Sequence, residues 1–166
     1  MPTPTYTPIA RQVIASATNT LTFSSIPNTY TDLVLVTDAS FSGYDYLLYQ
    51  FNGDTGSNYS ETPLRGDGST ATSGAAGNRV FTWTCLQSAA NTQFNTVSNF
   101  MNYSNTTTNK TLLSRANSNS SGDFVATTAG LWRSTSAINS IRVYSLSASN
   151  FNVGSTFTLY GIKAGS

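Results

Sequence analysis

The chain has 166 residues, of which only 9% are charged, and its formal net charge is +1. It has no histidine and a single cysteine, Cys85, which excludes histidine-based triads, imidazole metal ligands and a disulfide framework. A near-zero net charge without a basic run argues against nucleic-acid binding. The chain contains 24 serines, 26 threonines and 16 asparagines, so its surface is expected to act through shape, hydroxyls and amides.

Strand signals dominate, because Thr, Val, Ile, Tyr and Phe are plentiful and no window of about 11 residues has clean helical periodicity. Residues 32–39 are apolar on both faces and predict a central strand, while Leu47, Tyr49 and Phe51 predict one apolar face of the next. Strands are predicted at residues 9–17, 20–24, 32–39, 45–52, 79–86, 94–103, 110–116, 123–133, 138–146 and 155–163.

This spacing of short strands predicts an all-β fold, an antiparallel two-sheet sandwich of the jelly-roll type. We expect one domain over residues 9–166, preceded by an extended N-terminal arm at residues 1–8 that carries three prolines. Residues 53–78 are predicted to form a long loop, and loops of that length are usually functional or ordered by a partner.

No motif in the chain marks a catalytic centre, a cofactor site or a metal site. The Asp residues stand at turns or strand ends, and Glu61 is the only Glu, so nothing marks a catalytic carboxylate pair. Residues 52–58 resemble part of a calcium loop but lack its alternating acidic ligands, which favours an Asx-rich turn. The tripeptide at residues 65–67, Arg-Gly-Asp, is interpreted as a turn rather than an integrin ligand. We therefore predict a protein that is not an enzyme, with no cofactor and no metal.

Cys85 lies in phase with Phe81 and Trp83 and is predicted to be a buried core residue. The N-terminus lacks the basic region and the apolar stretch of a secretory signal. No apolar run approaches the roughly 18 residues that span a bilayer. Neither export by a signal peptide nor a membrane partner is expected.

Four segments resemble recurring segments in structural proteins of tailed bacteriophages, notably phages of marine bacteria and cyanobacteria. The first, at residues 24–36, reads SSIPNTYTDLVLV. The others read FNGDTGSNYS at residues 51–60, GLWRST at 130–135 and GSTFTLYGIK at 154–163. The four segments are distributed along nearly the whole chain. The resemblance implies a particle protein and carries over no catalytic residues.

The leading hypothesis is a capsid decoration or cement protein on the capsid exterior, made in the host cytoplasm. Its expected partners are further copies of itself, as a homotrimer, and the major capsid protein or another virion protein. The N-terminal arm and the long loop are predicted to make these contacts, through Pro2, Pro4, Tyr6, Pro8, Tyr59 and Arg65.

Two alternatives remain open at this point. In the first, the chain is a tail-fibre, spike or appendage module that binds host-surface polysaccharide. In the second, it is a free carbohydrate-binding module outside any phage. Both would use exposed aromatic rings, and the candidate glycan contacts are Tyr44, Tyr46 and Trp132.

Overall fold

The computed structural model describes residues 5–119 and 124–163, apart from the side chains of Cys85, Leu86 and Phe124. The predicted burial of Cys85 therefore lies outside the described side chains. Within these ranges the chain forms thirteen strands and no helix. The strands are β1 (Tyr6–Val13), β2 (Thr20–Phe23), β3 (Asp32–Ser40), β4 (Asp45–Phe51), β5 (Tyr59–Gly66), β6 (Ala71–Ser73), β7 (Ala76–Arg79), β8 (Thr82–Ser88), β9 (Gln93–Met101), β10 (Lys110–Ser118), β11 (Phe124–Trp132), β12 (Ile141–Ser145) and β13 (Thr156–Ile162).

The strands form two antiparallel sheets packed against each other, which confirms the predicted all-β sandwich. The large sheet has nine strands in the order β1-β13-β3-β9-β10-β11-β5-β6, with β7 also paired to β5. The small sheet has the order β2-β12-β4-β8. A jelly roll has eight strands in two sheets. With additional strands in the large sheet, that finer topology stays a prediction.

The hydrophobic core fills the space between the two sheets. Strand β4 of the small sheet buries Leu47, Tyr49 and Phe51, the face that the alternation predicts. The ring of Phe51 meets the ring of Phe100 on β9 edge to face, with centroids 5.5 Å apart. This geometry is one that aromatic pairs prefer, and the contact joins β4 of the small sheet to β9 of the large one.

The predicted long loop at residues 53–78 is wrong, since much of it folds into strands. Strand β5 pairs with β11 from Tyr59 to Gly66, and β6 and β7 both pair with its other edge. Only the start of β5 buries alternate side chains, at Tyr59 and Glu61. Backbone pairing rather than apolar patterning therefore explains why this segment is extended.

The predicted N-terminal arm is also altered where it is described. Tyr6, Thr7 and Pro8 belong to β1 and pair with residues 160–162 of β13. The register shifts between Pro8 and Ala10, which marks a β-bulge in this edge strand. Residues 1–4, including Pro2 and Pro4, lie outside the described residues.

Candidate functional site

A groove lined by aromatic and polar side chains separates strands β5 and β6 from strands β4 and β8. Tyr46 of β4 and Trp83 of β8 supply its rings, which meet edge to face with centroids 5.3 Å apart. The space measures about 360 Å³. The groove is lined by Tyr46, Pro63, Arg65, Thr72, Ser73, Gly74, Trp83 and Gln87, and we call this set the aromatic groove.

Tyr44 extends the aromatic surface beyond Tyr46. Its ring is 52% exposed and lies edge-on to the ring of Tyr46, with centroids 5.6 Å apart. The two phenolic oxygens are 3.1 Å apart and share a hydrogen bond. Burial, followed by this hydrogen bond, raises the pKa of Tyr44 to about 12, against a small opposing effect of Arg65. Tyr44 is therefore a neutral hydroxyl at physiological pH.

Arg65 is the one charged residue that lines the aromatic groove. Its Nε donates to Thr72 Oγ1 at 3.4 Å, and its Nη1 donates to Gln87 Oε1 at 3.3 Å. Within residues 5–119 and 124–163, the single salt bridge joins Arg79 to Glu61, so no carboxylate neutralises Arg65 there. These two long hydrogen bonds orient the guanidinium without using all its donors.

Two aromatic residues predicted to lie at the surface are buried. Trp132 is 3% exposed and Tyr59 is fully buried, with their rings nearly parallel and their centroids 6.2 Å apart. Both rings also contact Phe51. The predicted glycan contact at Trp132 and the predicted assembly contact at Tyr59 are therefore wrong.

Trp83 is the aromatic residue of the groove that the sequence reasoning missed. Its neighbours Thr82 and Thr84 are 1% and 0% exposed, so β8 turns threonines toward the interior and leaves the indole half-buried. The alternation of Phe81, Trp83 and Cys85 with threonines was the available signal. It distinguishes the two faces of β8, and the face of Thr82 and Thr84 is the one that is fully buried.

The remaining predicted contact residues lie at two separate places on the molecule. Tyr6 is 59% exposed and Pro8 is also exposed, and both lie on the edge strand β1. Arg65 lies on β5, in the aromatic groove rather than in a loop. Tyr44 and Tyr46 are brought together as a pair. The structure thus joins the predicted glycan residues Tyr44 and Tyr46 with the predicted assembly residue Arg65.

A second surface covers the outward side of five strands of the large sheet. Across it, Val36 of β3 is in register with Val97 of β9, and Val97 is in register with Arg115 of β10. Leu113 and Val125 add aliphatic groups that are 40% and 67% exposed. We define the outer sheet face as Val36, Leu64, Val97, Asn99, Leu113, Arg115, Val125, Thr127 and Ala129. Among these nine residues Arg115 alone is charged.

The turn motifs have a structural explanation. Asp54 accepts hydrogen bonds from the Gly56 backbone and from Asn58, and Asp67 accepts them from the backbones of Ser69 and Thr70. Both residues form Asx-type turns, as expected for residues 52–58, whereas in the tripeptide only Asp67 is in the turn, because Arg65 and Gly66 end β5. The described residues hold no group of three or more acidic or cysteine side chains arranged for a metal ion.

The carboxyl group of Glu61 is buried on β5, one of the strands that border the aromatic groove. Glu61 of β5 is 3% exposed, and its Oε1 lies 3.5 Å from Arg79 Nε. Burial raises the pKa of Glu61 to about 7, although Arg79 and the backbone of Trp83 act in the opposite direction. Arg79 belongs to β7, so this pair ties that short strand to β5.

Comparisons with models of protein families, with curated proteins and with solved structures found no match to this chain. No helical segment in residues 5–119 and 124–163 has the length and apolar character needed to traverse a bilayer. The aromatic groove, the outer sheet face and the phage-like segments are therefore the features that bear on function.

Proposed function

We propose that the chain is a structural protein of a bacteriophage particle, acting as a decoration or cement protein on the capsid exterior. The observation that carries this proposal is the outer sheet face, a broad β-surface on which exposed aliphatic groups lie among polar ones. Exposed apolar surface of this kind marks protein contacts. The four phage-like segments in the sequence support the same assignment.

The mechanism is mechanical. Leu113 and Val125 would lose their remaining exposed surface at a subunit junction, and each would contribute only part of the roughly 1.5–3 kcal/mol that complete burial of an exposed aliphatic side chain gives. Serine, threonine and asparagine around them lose little side-chain entropy on assembly. Contacts repeated around the particle, with copies of this chain as a homotrimer and with the major capsid protein, would oppose internal DNA pressure.

The first test is the copy number and position of the chain in purified particles, measured by cryo-electron microscopy and mass spectrometry. Hundreds of copies on the icosahedral lattice would support decoration. A few copies at the tail, in multiples of three or six, would replace decoration by an appendage role. Absence from particles would overturn the virion assignment altogether.

A matched pair of variants tests the surface itself. Val125 lies on the outer sheet face and Val153 lies outside it, and their exposed fractions are 67% and 68%. Val125→Asn should lower binding to particles that lack the protein by about tenfold, and adding Leu113→Asn should lower it further. Val153→Asn should leave binding unchanged. Equal binding by both variants would exclude this face as the contact.

The second candidate function is a tail appendage module that binds host-surface polysaccharide, and the aromatic groove favours it. Tyr46 and Trp83 offer ring surface beside hydroxyl and amide groups, the combination that suits sugars. The same groove fits the third alternative, a free carbohydrate-binding module. The particle measurement separates the two, because only the appendage is part of a virion.

A further inference from the structure

We propose that the aromatic groove binds an acidic polysaccharide, with Arg65 pairing with a sugar carboxylate while Tyr46 and Trp83 contact the sugar ring. The inference rests on the second candidate function and deepens it, since it names the class of ligand. It assigns Arg65 and Trp83 a binding role that pairs charge with aromatic contact.

The size and openness of the groove suit part of a chain-like ligand. At about 360 Å³ it lies at the lower end of the range of small-ligand sites, about 300–1,000 Å³. Its walls come from two separate pairs of strands, β5 with β6 on one side and β4 with β8 on the other. Sugars present apolar C–H faces to aromatic rings and hydroxyls to polar groups, and the groove supplies both kinds of partner.

The charge of the groove selects an anionic ligand. The guanidinium of Arg65 has no carboxylate partner in the described chain, and its bonds to Thr72 and Gln87 hold it at the wall. A guanidinium matches the two oxygens of a carboxylate with a pair of parallel hydrogen bonds. Neutral hydroxyls at Tyr44 and Thr72 add no opposing negative charge.

A nucleic acid fits this groove less well than an acidic sugar. Nucleic-acid sites combine stacking rings with several cations that follow the phosphate backbone. Here a single arginine lines the groove and the whole chain has a net charge of +1. One carboxylate per sugar unit is the charge that this site can match.

The test uses the full chain with a galacturonic acid trisaccharide and with the same trisaccharide methyl-esterified, which keeps the rings and removes the charge. Binding is measured by calorimetry and by tryptophan fluorescence, because Trp83 is half-buried whereas Trp132 is buried. We expect saturable binding of the acid form, at least about tenfold tighter than binding of the ester.

Two arginine variants locate the site. Arg65→Gln should remove the preference for the acid form, whereas Arg115→Gln, an exposed strand arginine on the outer sheet face, should leave it intact. Neither side chain is in the core, so both variants should fold, and circular dichroism checks this. An unchanged preference in Arg65→Gln, or its loss in Arg115→Gln, would overturn the assignment.

The remaining outcomes separate this inference from the proposed function. No binding of either trisaccharide at millimolar concentration would overturn the inference, while a particle location would still stand. Binding of an oligonucleotide or a peptide in place of the acid sugar would also overturn it. Acid-selective binding by a chain absent from particles would support the inference and remove the virion assignment.

Discussion

The indole N–H of Trp132 donates a hydrogen bond of 2.6 Å to Oδ2 of Asp54. Trp132 ends β11 in the large sheet, whereas Asp54 lies in the turn that follows β4 of the small sheet. Asn58 donates to the same carboxylate oxygen at 2.9 Å. One carboxylate thus ties the end of a strand in one sheet to a turn leaving the other.

Trp132→Phe should lower the free energy of unfolding by about 2–3 kcal/mol, because it removes a hydrogen bond to a charged group and leaves space in the core. Asp54→Asn should cost less, since the shape of the side chain is kept. Denaturant unfolding measures both. If Trp132→Phe lowered the free energy of unfolding by less than Asp54→Asn does, this account would be contradicted.

Low pH should weaken the hydrogen bond between Trp132 and Asp54. Burial acts to raise the pKa of Asp54, but hydrogen bonds from Trp132, Asn58 and Gly56 outweigh it and lower the pKa below 3.8. The carboxylate therefore stabilises the fold above pH 3.8, and this contribution is lost as pH falls through the lower folded pKa. Asp54→Asn should show a smaller loss of melting temperature than the wild type on acidification, measured by calorimetry.

Glu61 should produce the opposite pH dependence. Its pKa rises from 4.5 to about 7 on folding, so the folded state holds a proton that the unfolded state has released. The contribution of Glu61 to stability is therefore most favourable below pH 4.5 and becomes less favourable as pH rises toward 7. Glu61→Gln should remove this decline in melting temperature between pH 5 and 8.

Arg79→Gln tests whether the guanidinium of Arg79 holds down the pKa of Glu61. Without the guanidinium that lies 3.5 Å from the carboxyl group, the pKa of Glu61 should rise further. The decline in melting temperature with pH should therefore become larger and extend to higher pH. A wild-type melting temperature that rises over this range would exclude a raised pKa at Glu61.

A chain of hydroxyl groups crosses the interior between the sheets. Tyr49 Oη lies 3.0 Å from Ser98 Oγ, which lies 2.9 Å from Ser114 Oγ, and all three residues are fully buried. Tyr49→Phe and Ser98→Ala should each cost about 1 kcal/mol. Because both break the same link, the double variant should cost less than the sum, as a double-mutant cycle measures. Additive costs would show that the hydroxyls act independently.

Gly161 of β13 lies directly beneath the ring of Tyr30. A methyl group at Gly161 would overlap that ring, whereas one at Gly77 in β7 would have open space. Gly161→Ala should therefore destabilise the protein by about 1–3 kcal/mol, and Gly77→Ala should change stability by less than about 0.5 kcal/mol. Adding Tyr30→Ala should reduce the effect of Gly161→Ala. Equal thermal stability of the two alanine variants would contradict the contact.

Apolar periodicity in the sequence is enough to predict most of the sheet framework. The segment predicted at residues 32–39 became β3, Asp32–Ser40, and that predicted at 155–163 became β13, Thr156–Ile162. Strands β5, β6 and β7 were missed because Pro63 and exposed small or polar residues interrupt the pattern. Strand β5 forms by pairing with β11, and β6 and β7 form by pairing with β5. Local sequence does not encode these long-range pairings.

The candidate site was predicted less completely than the fold. Tyr44, Tyr46 and Arg65 were singled out, but for two different functions, and the groove that joins Tyr46 to Arg65 depends on the missed strands β5 and β6. The sequence pattern does not distinguish aromatic residues that are buried from those that are exposed. Trp132 is held inside by its bond to Asp54, while Trp83 faces the groove because Thr82 and Thr84 occupy the interior.

The bulged edge strand β1 limits how copies of this protein can join. Pro8 has no N–H to offer an incoming strand, and the bulge before Ala10 breaks the row of backbone groups that such a strand would need. At the far side of the large sheet, the edge is divided between β6, with three residues, and β7, with four. Neither border of the large sheet therefore offers an uninterrupted row of backbone groups to a strand from another copy, which directs contacts between large sheets to their side chains.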